Sequence, residues 1–90
     1  RMIRYMQLFV FQFGGFGIVA TDTKDAIDTL RDEHGDDAAD DLIERGEAPE
    51  QLPDDSSQTI EFDDVEDGLV TLTCGQWICR EGHGVLWREA

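Results

Sequence analysis

The chain has 90 residues, enough for one domain with a modest core, so residues 1–90 are predicted to form a single small acidic domain. Its 21 Asp and Glu residues against 7 Lys and Arg give a net charge of −14, which argues against direct binding to nucleic acid or to an anionic membrane, since both need basic side chains. No apolar run approaches the roughly 20 residues of a membrane-spanning helix, and two cysteines without a disulfide framework favour reduced thiols and a cytoplasmic location.

A β-hairpin is predicted at the start of the chain. Residues 3–13 alternate in the manner of a strand and are apolar on both faces near their centre, which predicts an interior strand. Gly14-Gly15 tolerates the positive φ of a two-residue turn, and residues 16–21 are predicted to form the returning strand. This turn predicts three cross-strand pairs: Phe13 with Phe16, Phe11 with Ile18, and Phe9 with Ala20.

Two short acidic helices are predicted after the hairpin. Asp22 has a side chain favoured at a helix N-cap, and Gly35 fits the C-cap of the same helix. A second helix is predicted over residues 37–45, with Gly46 at its end. Apolar residues at helical spacing point inward in both, and the acidic residues predicted to point outward and to form a partner-binding face are Asp25, Asp28, Asp32, Asp37, Asp40, Asp41, Glu44 and Glu47.

Three short strands and a third helix are predicted in the C-terminal half. Residues 47–58 are predicted to be a loop because two prolines interrupt them. Thr73 and Gln76 have the spacing of a capping box, which predicts a helix that begins there and ends at Gly82. The strands are assigned to residues 59–62, 69–72 and 85–87.

The order of these elements predicts an α+β fold. An antiparallel sheet contains the N-terminal β-hairpin, and the two acidic helices and the short C-terminal helix cover one face of that sheet. The residues predicted to fill the core are Leu8, Phe9, Phe11, Ile18, Ile27, Leu30, Leu42, Ile43, Phe62, Leu72 and Trp77.

Two motifs match known binding loops in part. Gly15-x-Gly17-x-x-Ala20 has the letters of the dinucleotide fingerprint, but that motif must open a helix, and here it opens a predicted strand. Residues 63–68 are acidic like a calcium loop, but Val65 occupies a ligand position and the terminal Glu is absent. No nucleotide or dedicated calcium site is therefore predicted.

Metal binding and catalysis are not indicated either. Cys74 and Cys79 lie five residues apart, about 140° around a helix, so their thiols diverge and a zinc site with His34 or His83 is not expected. His34 is instead predicted to lie near the C-terminus of its helix, where it acts as a favourable cap. The two serines of the chain lie in the proline-containing loop without the partners of an activated nucleophile, so no catalytic residue, metal or cofactor is predicted.

The acidic residues are unevenly distributed, which allows two interpretations. Residues 22–67 hold 19 of the 21 acids and three bases. B-DNA carries one charge per about 1.7 Å of axis, so a net charge of −14 matches about 24 Å of duplex, close to the size of the domain, and indicates a charge mimic. The alternative is a small halophilic, haloarchaeal domain whose acidic surface serves solubility in high salt, which a single Lys and 13 Asp against 8 Glu support.

A small acidic α/β chain without an enzyme signature resembles phage and mobile-element products such as anti-CRISPR proteins, several of which imitate DNA with carboxylates. The segment Trp77-Ile78-x-x-x-Gly82-x-Gly84-x-Leu86 is also similar to short phage proteins. Anti-CRISPR families share no motif, so no functional residue is carried over. The resemblance implies a non-enzymatic inhibitor in the host cell cytoplasm that binds a protein with a basic nucleic-acid channel, such as a CRISPR effector complex.

Overall fold

Six strands and three helices form in residues 7–62 and 68–89, the part of the chain that the computed structural model describes. In chain order they are β1 (Phe9–Phe13), β2 (Phe16–Ala20), α1 (Thr23–His34), α2 (Asp36–Glu44), β3 (Glu50–Leu52), β4 (Ser57–Glu61), β5 (Leu69–Thr73), α3 (Cys74–Glu81) and β6 (Gly84–Arg88). Four strands form an antiparallel sheet in the order β3-β1-β2-β6, and β4 pairs with β5 in a second sheet. The predicted α+β fold with an N-terminal hairpin is confirmed.

The hairpin has the predicted register. Phe13 pairs with Phe16, Phe11 with Ile18, and Phe9 with Ala20. Gly14 has a φ of 57°, the positive value that a two-residue hairpin turn requires at this position. A Cβ at Gly14 would also collide with the side chain of Leu42, so the turn lies directly under α2.

A single glycine separates the two acidic helices. Asp22 caps α1 by accepting a hydrogen bond from the backbone N–H of Asp25 at 2.8 Å, as predicted. Gly35 has a φ of 91°, and its N–H donates to the carbonyl of Arg31 at 2.9 Å, which ends α1. The second helix begins at Asp36 and ends at Glu44, so both of its ends lie one residue before the predicted 37–45.

The four-stranded sheet has an apolar core on each face, which corrects one part of the prediction. Phe11, Phe13 and Ile18 pack with residues of α1 and α2 on one face. Alternation along the strands turns Val10 and Val19 to the other face, where they pack with Cys74 of α3. The short C-terminal helix therefore covers the face opposite the acidic helices, because this apolar face also has to be shielded from water.

The segments after α2 differ from their predicted bounds. β3 lies within the predicted loop 47–58, where it pairs with β1 as a short edge strand. The predicted capping box of α3 is confirmed, since Gln76 N–H donates to Thr73 Oγ1 at 3.2 Å and Thr73 N–H donates to Gln76 Oε1 at 2.9 Å. The acidic turn at 63–67 and residues 3–6 of the first predicted strand lie outside the described residues.

The predicted core is correct at its centre and wrong at its border. Five predicted core residues are buried: Phe11, Ile18, Leu30, Leu42 and Trp77. Five others are half-buried: Leu8, Phe9, Ile27, Phe62 and Leu72. Ile43 was wrongly placed inside, because its side chain on α2 is 45% exposed. Phe13 is buried in the core beneath the acidic helices and is absent from the predicted set. Val10, Val19 and Cys74 are also buried and absent from that set, because they belong to the second core, which the sequence does not predict.

Candidate functional site

The acidic surface is formed by α1, α2 and the residues that flank them, residues 22–47. This segment carries eleven acids and three bases, a net charge of −8. Its members that are exposed and were predicted to bind a partner are Asp28, Asp32, Asp37, Asp40, Asp41, Glu44 and Glu47. The apolar faces of both helices are turned to the sheet, which leaves these carboxylates in solvent.

Arg31 joins the two helices of the acidic surface. Its Nη1 lies 2.8 Å from Asp40 Oδ1 and 3.7 Å from Asp36 Oδ1, so one guanidinium bridges α1 to two carboxylates of α2. The hydrogen bond with Asp40 raises the pKa of Arg31 above its ordinary value. Arg31 therefore fixes the position of α2 against α1, and it partly neutralises Asp40.

The other two bases of the acidic surface pair within their own helix or its end. Lys24 Nζ lies 3.3 Å from Asp28 Oδ2, and Arg45 Nη2 lies 3.1 Å from Asp41 Oδ2. Both pairs have the i,i+4 spacing that brings side chains together on a helix. Among the described residues, no base lies within ion-pair distance of four of the predicted carboxylates: Asp32, Asp37, Glu44 and Glu47.

Asp25 does not present its carboxylate as predicted. Its Oδ2 accepts hydrogen bonds from the backbone N–H of Thr21 at 2.9 Å and from the Thr21 hydroxyl at 3.1 Å. His83 Nε2 lies 2.9 Å from the same oxygen and 3.2 Å from the hydroxyl of buried Thr29. These hydrogen bonds, first that of the Thr21 backbone, lower the pKa of Asp25. Asp25 thus ties α1 to the segment between α3 and β6 instead of facing a partner.

Glu33 has a structural role that no local sequence pattern predicts. Its Oε2 accepts a hydrogen bond from the backbone N–H of Val85 at 2.8 Å, across 52 residues of sequence. β6 lies at the edge of the sheet, where unpaired backbone groups can recruit another strand. The carboxylate of Glu33 accepts the hydrogen bond of one of these groups, so another strand cannot pair with β6 at this point.

A cleft lies on the other side of the molecule from the acidic helices. It has a volume of about 820 Å³ and is lined by β4, the following Phe62, β6 and one residue of β1. The side chains that matter for its chemistry are Gln12, Gln58, Glu61, Trp87 and Glu89. None of these was predicted as a site residue, because they meet only when the second sheet folds over the first.

Trp87 forms a flat surface in this cleft. A Cβ at Gly17 would collide with three atoms of the indole, so the ring lies face-on against the backbone of β2. The register between β2 and β6 shifts at Gly17/Ile18, and this bulge turns Leu86 and Trp87 to the same face. A glycine inside a strand often marks such a close approach, so Gly17 was the sequence signal for an aromatic neighbour.

The thiols and the histidines are separated in the structure. Cys74 is buried, and burial raises the pKa of its thiol, whereas Cys79 is exposed on α3. The ring of His34 packs against Phe16 with 5.0 Å between ring centroids. Within residues 7–62 and 68–89, no three His, Cys, Asp or Glu side chains are grouped closely enough to hold a metal ion.

Comparison of the chain with protein-family models, with curated proteins and with solved structures found no match. No helix in the described part of the chain is long and apolar enough to cross a membrane. The acidic surface and the cleft are therefore the features of the molecule that can indicate a function.

Proposed function

We propose that the protein is a non-enzymatic inhibitor that occupies the basic nucleic-acid channel of a host defence complex, such as a CRISPR effector. The observation that carries this proposal is the acidic surface, in which two short helices joined by one glycine, together with the residues that flank them, hold eleven acids against three bases. Those three bases pair with acids of the same surface, so they stabilise it without reversing its charge.

The charge density of the acidic surface is comparable with that of a DNA duplex. A net charge of −8 corresponds to about 14 Å of B-DNA axis, at one charge per 1.7 Å. The nine residues of α2 and the twelve of α1 extend over about 14 and 18 Å, at 1.5 Å per residue. A channel that binds phosphates would therefore meet a similar negative charge over a similar length.

The partner would first engage the carboxylates that have no base within ion-pair distance in the described part of the chain. Asp32, Asp37 and Glu44 are exposed, and Arg and Lys side chains of the partner can approach them without displacing an ion pair. Complementary charge accelerates association and makes it strongly dependent on salt. DNA needs the same basic groups of the partner, so DNA and this protein would exclude one another.

Adaptation to high salt is a second candidate function, and a specific observation favours it. Exposed acids continue beyond the acidic surface over the rest of the molecule, at Glu50, Asp54, Asp55, Glu61, Glu81 and Glu89. The chain has a single lysine, and its acids are mostly aspartates. An acidic coat of this kind keeps a protein soluble without any partner.

Affinity capture followed by DNA competition tests the proposal. The tagged protein is incubated with lysate of a bacterial or archaeal host at 0.15 M salt, and captured proteins are identified by mass spectrometry. We expect a nucleic-acid-binding complex, and we expect duplex DNA to displace it from the tagged protein in a concentration-dependent manner.

Two results would contradict the proposal. Capture that yields no nucleic-acid-binding protein would leave salt adaptation as the explanation of the charge. Capture of such a protein in a complex that excess DNA does not displace would show that the inhibitor binds outside the nucleic-acid channel.

A further inference from the structure

The cleft between β4 and β6 combines an aromatic surface with an excess of hydrogen-bond acceptors. We propose that it binds an arginine side chain of a basic protein partner, with the guanidinium stacked on Trp87. The identity of the partner rests on the proposed function, whereas the chemistry of the ligand follows from the cleft itself. The cleft would add specificity to the less selective attraction of the acidic surface.

Trp87 supplies the aromatic surface for stacking. One side of its indole lies against the backbone of Gly17, and the ring forms part of the cleft lining, so its other side is turned to the cleft. The face of an indole attracts cations through its quadrupole. A guanidinium is planar and more weakly hydrated than an ammonium, so it stacks on such a face more readily than lysine does.

The groups around Trp87 are mainly acceptors. Gln58 donates its amide Nε2 to Ser56 Oγ at 3.2 Å, which leaves its carbonyl oxygen available to accept. The two acidic residues among the described lining residues are Glu61, at the end of β4, and Glu89, directly after β6. A guanidinium carries five N–H donors and no acceptor, so it matches this lining, whereas an anionic ligand does not.

Arg88 is the one basic residue among the lining residues that the structure describes, and its charge is directed away. Its guanidinium lies 5.8 Å from the centroid of Phe16, which packs on the core beneath the acidic helices. The cleft is thus left with the carboxylates of Glu61 and Glu89. Electrostatic complementarity selects a cationic group for this position in a protein with a net charge of −14.

The shape of the cleft suits a side chain that projects from a protein surface. Sites for free small molecules enclose most of the ligand surface. This cleft lies between two strands and is open to solvent along one side, with exposed residues such as Gln12 and Thr59 in its lining. An arginine on a second surface of the partner, on the side of the domain opposite the acidic surface, could enter it.

An NMR titration at 0.15 M salt tests the site with a defined probe. The ¹⁵N-labelled protein is titrated with N-acetyl-arginine amide, and N-acetyl-citrulline amide serves as the uncharged control of nearly the same shape. We expect a saturable shift of the Trp87 indole N–H with the arginine compound alone. Trp77 provides an internal reference, because it is fully buried and its indole N–H donates to the backbone carbonyl of Gln58 at 2.9 Å.

A matched pair of double variants tests the two carboxylates. Glu61→Gln with Glu89→Gln should weaken binding of the arginine compound about threefold, as expected for the loss of two exposed ion pairs. Asp54→Asn with Asp55→Asn removes the same charge from the turn between β3 and β4, outside the cleft lining, and should leave that affinity unchanged. The inference is overturned by a Trp87 shift that citrulline also produces, by no saturable shift, or by equal weakening in both double variants.

These measurements separate the cleft from the proposed function. Arginine binding at Trp87 without any nucleic-acid-binding partner in the capture experiment would support the cleft and contradict the inhibitor. A DNA-displaceable partner together with no arginine response at Trp87 would support the inhibitor and contradict the cleft.

Discussion

Asp25 joins three segments of the chain through one carboxylate oxygen. Thr21 precedes α1, His83 follows α3, and both bond to Oδ2. The helix dipole also stabilises a negative charge in the first turn of a helix, where Asp25 lies. The dipole and the hydrogen bonds therefore both favour the charged form of Asp25. The pKa of Asp25 is lowered by these contacts, with the Thr21 backbone N–H as the main cause.

Removal of the Asp25 charge should destabilise the protein at neutral pH. We expect Asp25→Asn to lower the free energy of unfolding by about 1–2 kcal/mol at pH 7, because hydrogen bonds to a charged acceptor are lost. The folded-state pKa is depressed, so this stability is present above the ordinary aspartate pKa of 3.8 and is lost as pH falls through the lower folded value. Chemical denaturation at pH 7 and near pH 3 measures it, and an equal difference at both pH values would contradict the assignment.

The two cysteines should differ sharply in reactivity. Cys74 is fully buried and the pKa of its thiol is raised by burial, whereas Cys79 is exposed. We expect iodoacetamide to alkylate one thiol per native chain rapidly and the second only after unfolding. Mass spectrometry identifies the site, and Cys79→Ser should abolish the rapid phase. Rapid alkylation of Cys74 in the native protein would mean that α3 does not cover the sheet as described.

The close contact between β2 and β6 can be tested by the addition of one Cβ atom at Gly17. Gly17→Ala places a Cβ against the indole of Trp87, and we expect a loss of about 1–3 kcal/mol, as for other overpacked cores. Gly75→Ala is the control: its Cβ would lie 3.6 Å from the Asp54 carbonyl, an ordinary contact, and alanine favours α3. Thermal denaturation compares the two, and equal stability of both variants would contradict the packing of Trp87.

The ladder of aromatic residues in β1 should dominate the stability of the hairpin. Phe11 is 2% exposed and packs between the sheet and the acidic helices. Phe11→Ala should cost about 3–5 kcal/mol, the range for deletion of a buried aromatic ring. Equilibrium unfolding in urea measures this loss, and a cost below 1 kcal/mol would contradict the burial of the ring.

The local elements could be predicted from sequence because their signals are local. The Gly14-Gly15 turn sets the register of the hairpin, and Asp22 and Thr73 mark two helix starts. The side of the sheet that α3 covers is a tertiary property with no local signal. The hydrogen bond between Asp25 and His83, which are 58 residues apart, also has no local signal. For this reason Asp25 is included in the predicted acidic face although its carboxylate is engaged within the protein.

The large negative charge of the whole molecule makes its thermal stability depend on the salt concentration. Twenty-one acids repel one another, and screening relieves this repulsion within a Debye length of about 10 Å at 0.1 M salt. We expect Tm to rise between low salt and about 1 M KCl. An inhibitor that acts in an ordinary cytoplasm must already be folded at 0.15 M, so unfolding below molar salt would favour salt adaptation, and a flat response would mean that the charges are compensated.

The proposed inhibition requires the acidic surface itself to bind the partner, and a matched charge reversal distinguishes this surface from the other exposed acids. One variant combines Asp32→Lys, Asp37→Lys and Glu44→Lys on the acidic surface, and the other combines Glu50→Lys, Asp54→Lys and Asp55→Lys on exposed positions outside it. Three reversals change the net charge of either variant from −14 to −8. Affinity for the captured complex at 0.15 M salt should fall more than tenfold in the first variant and little in the second. An equal affinity of the two variants for the complex would contradict recognition by the acidic surface.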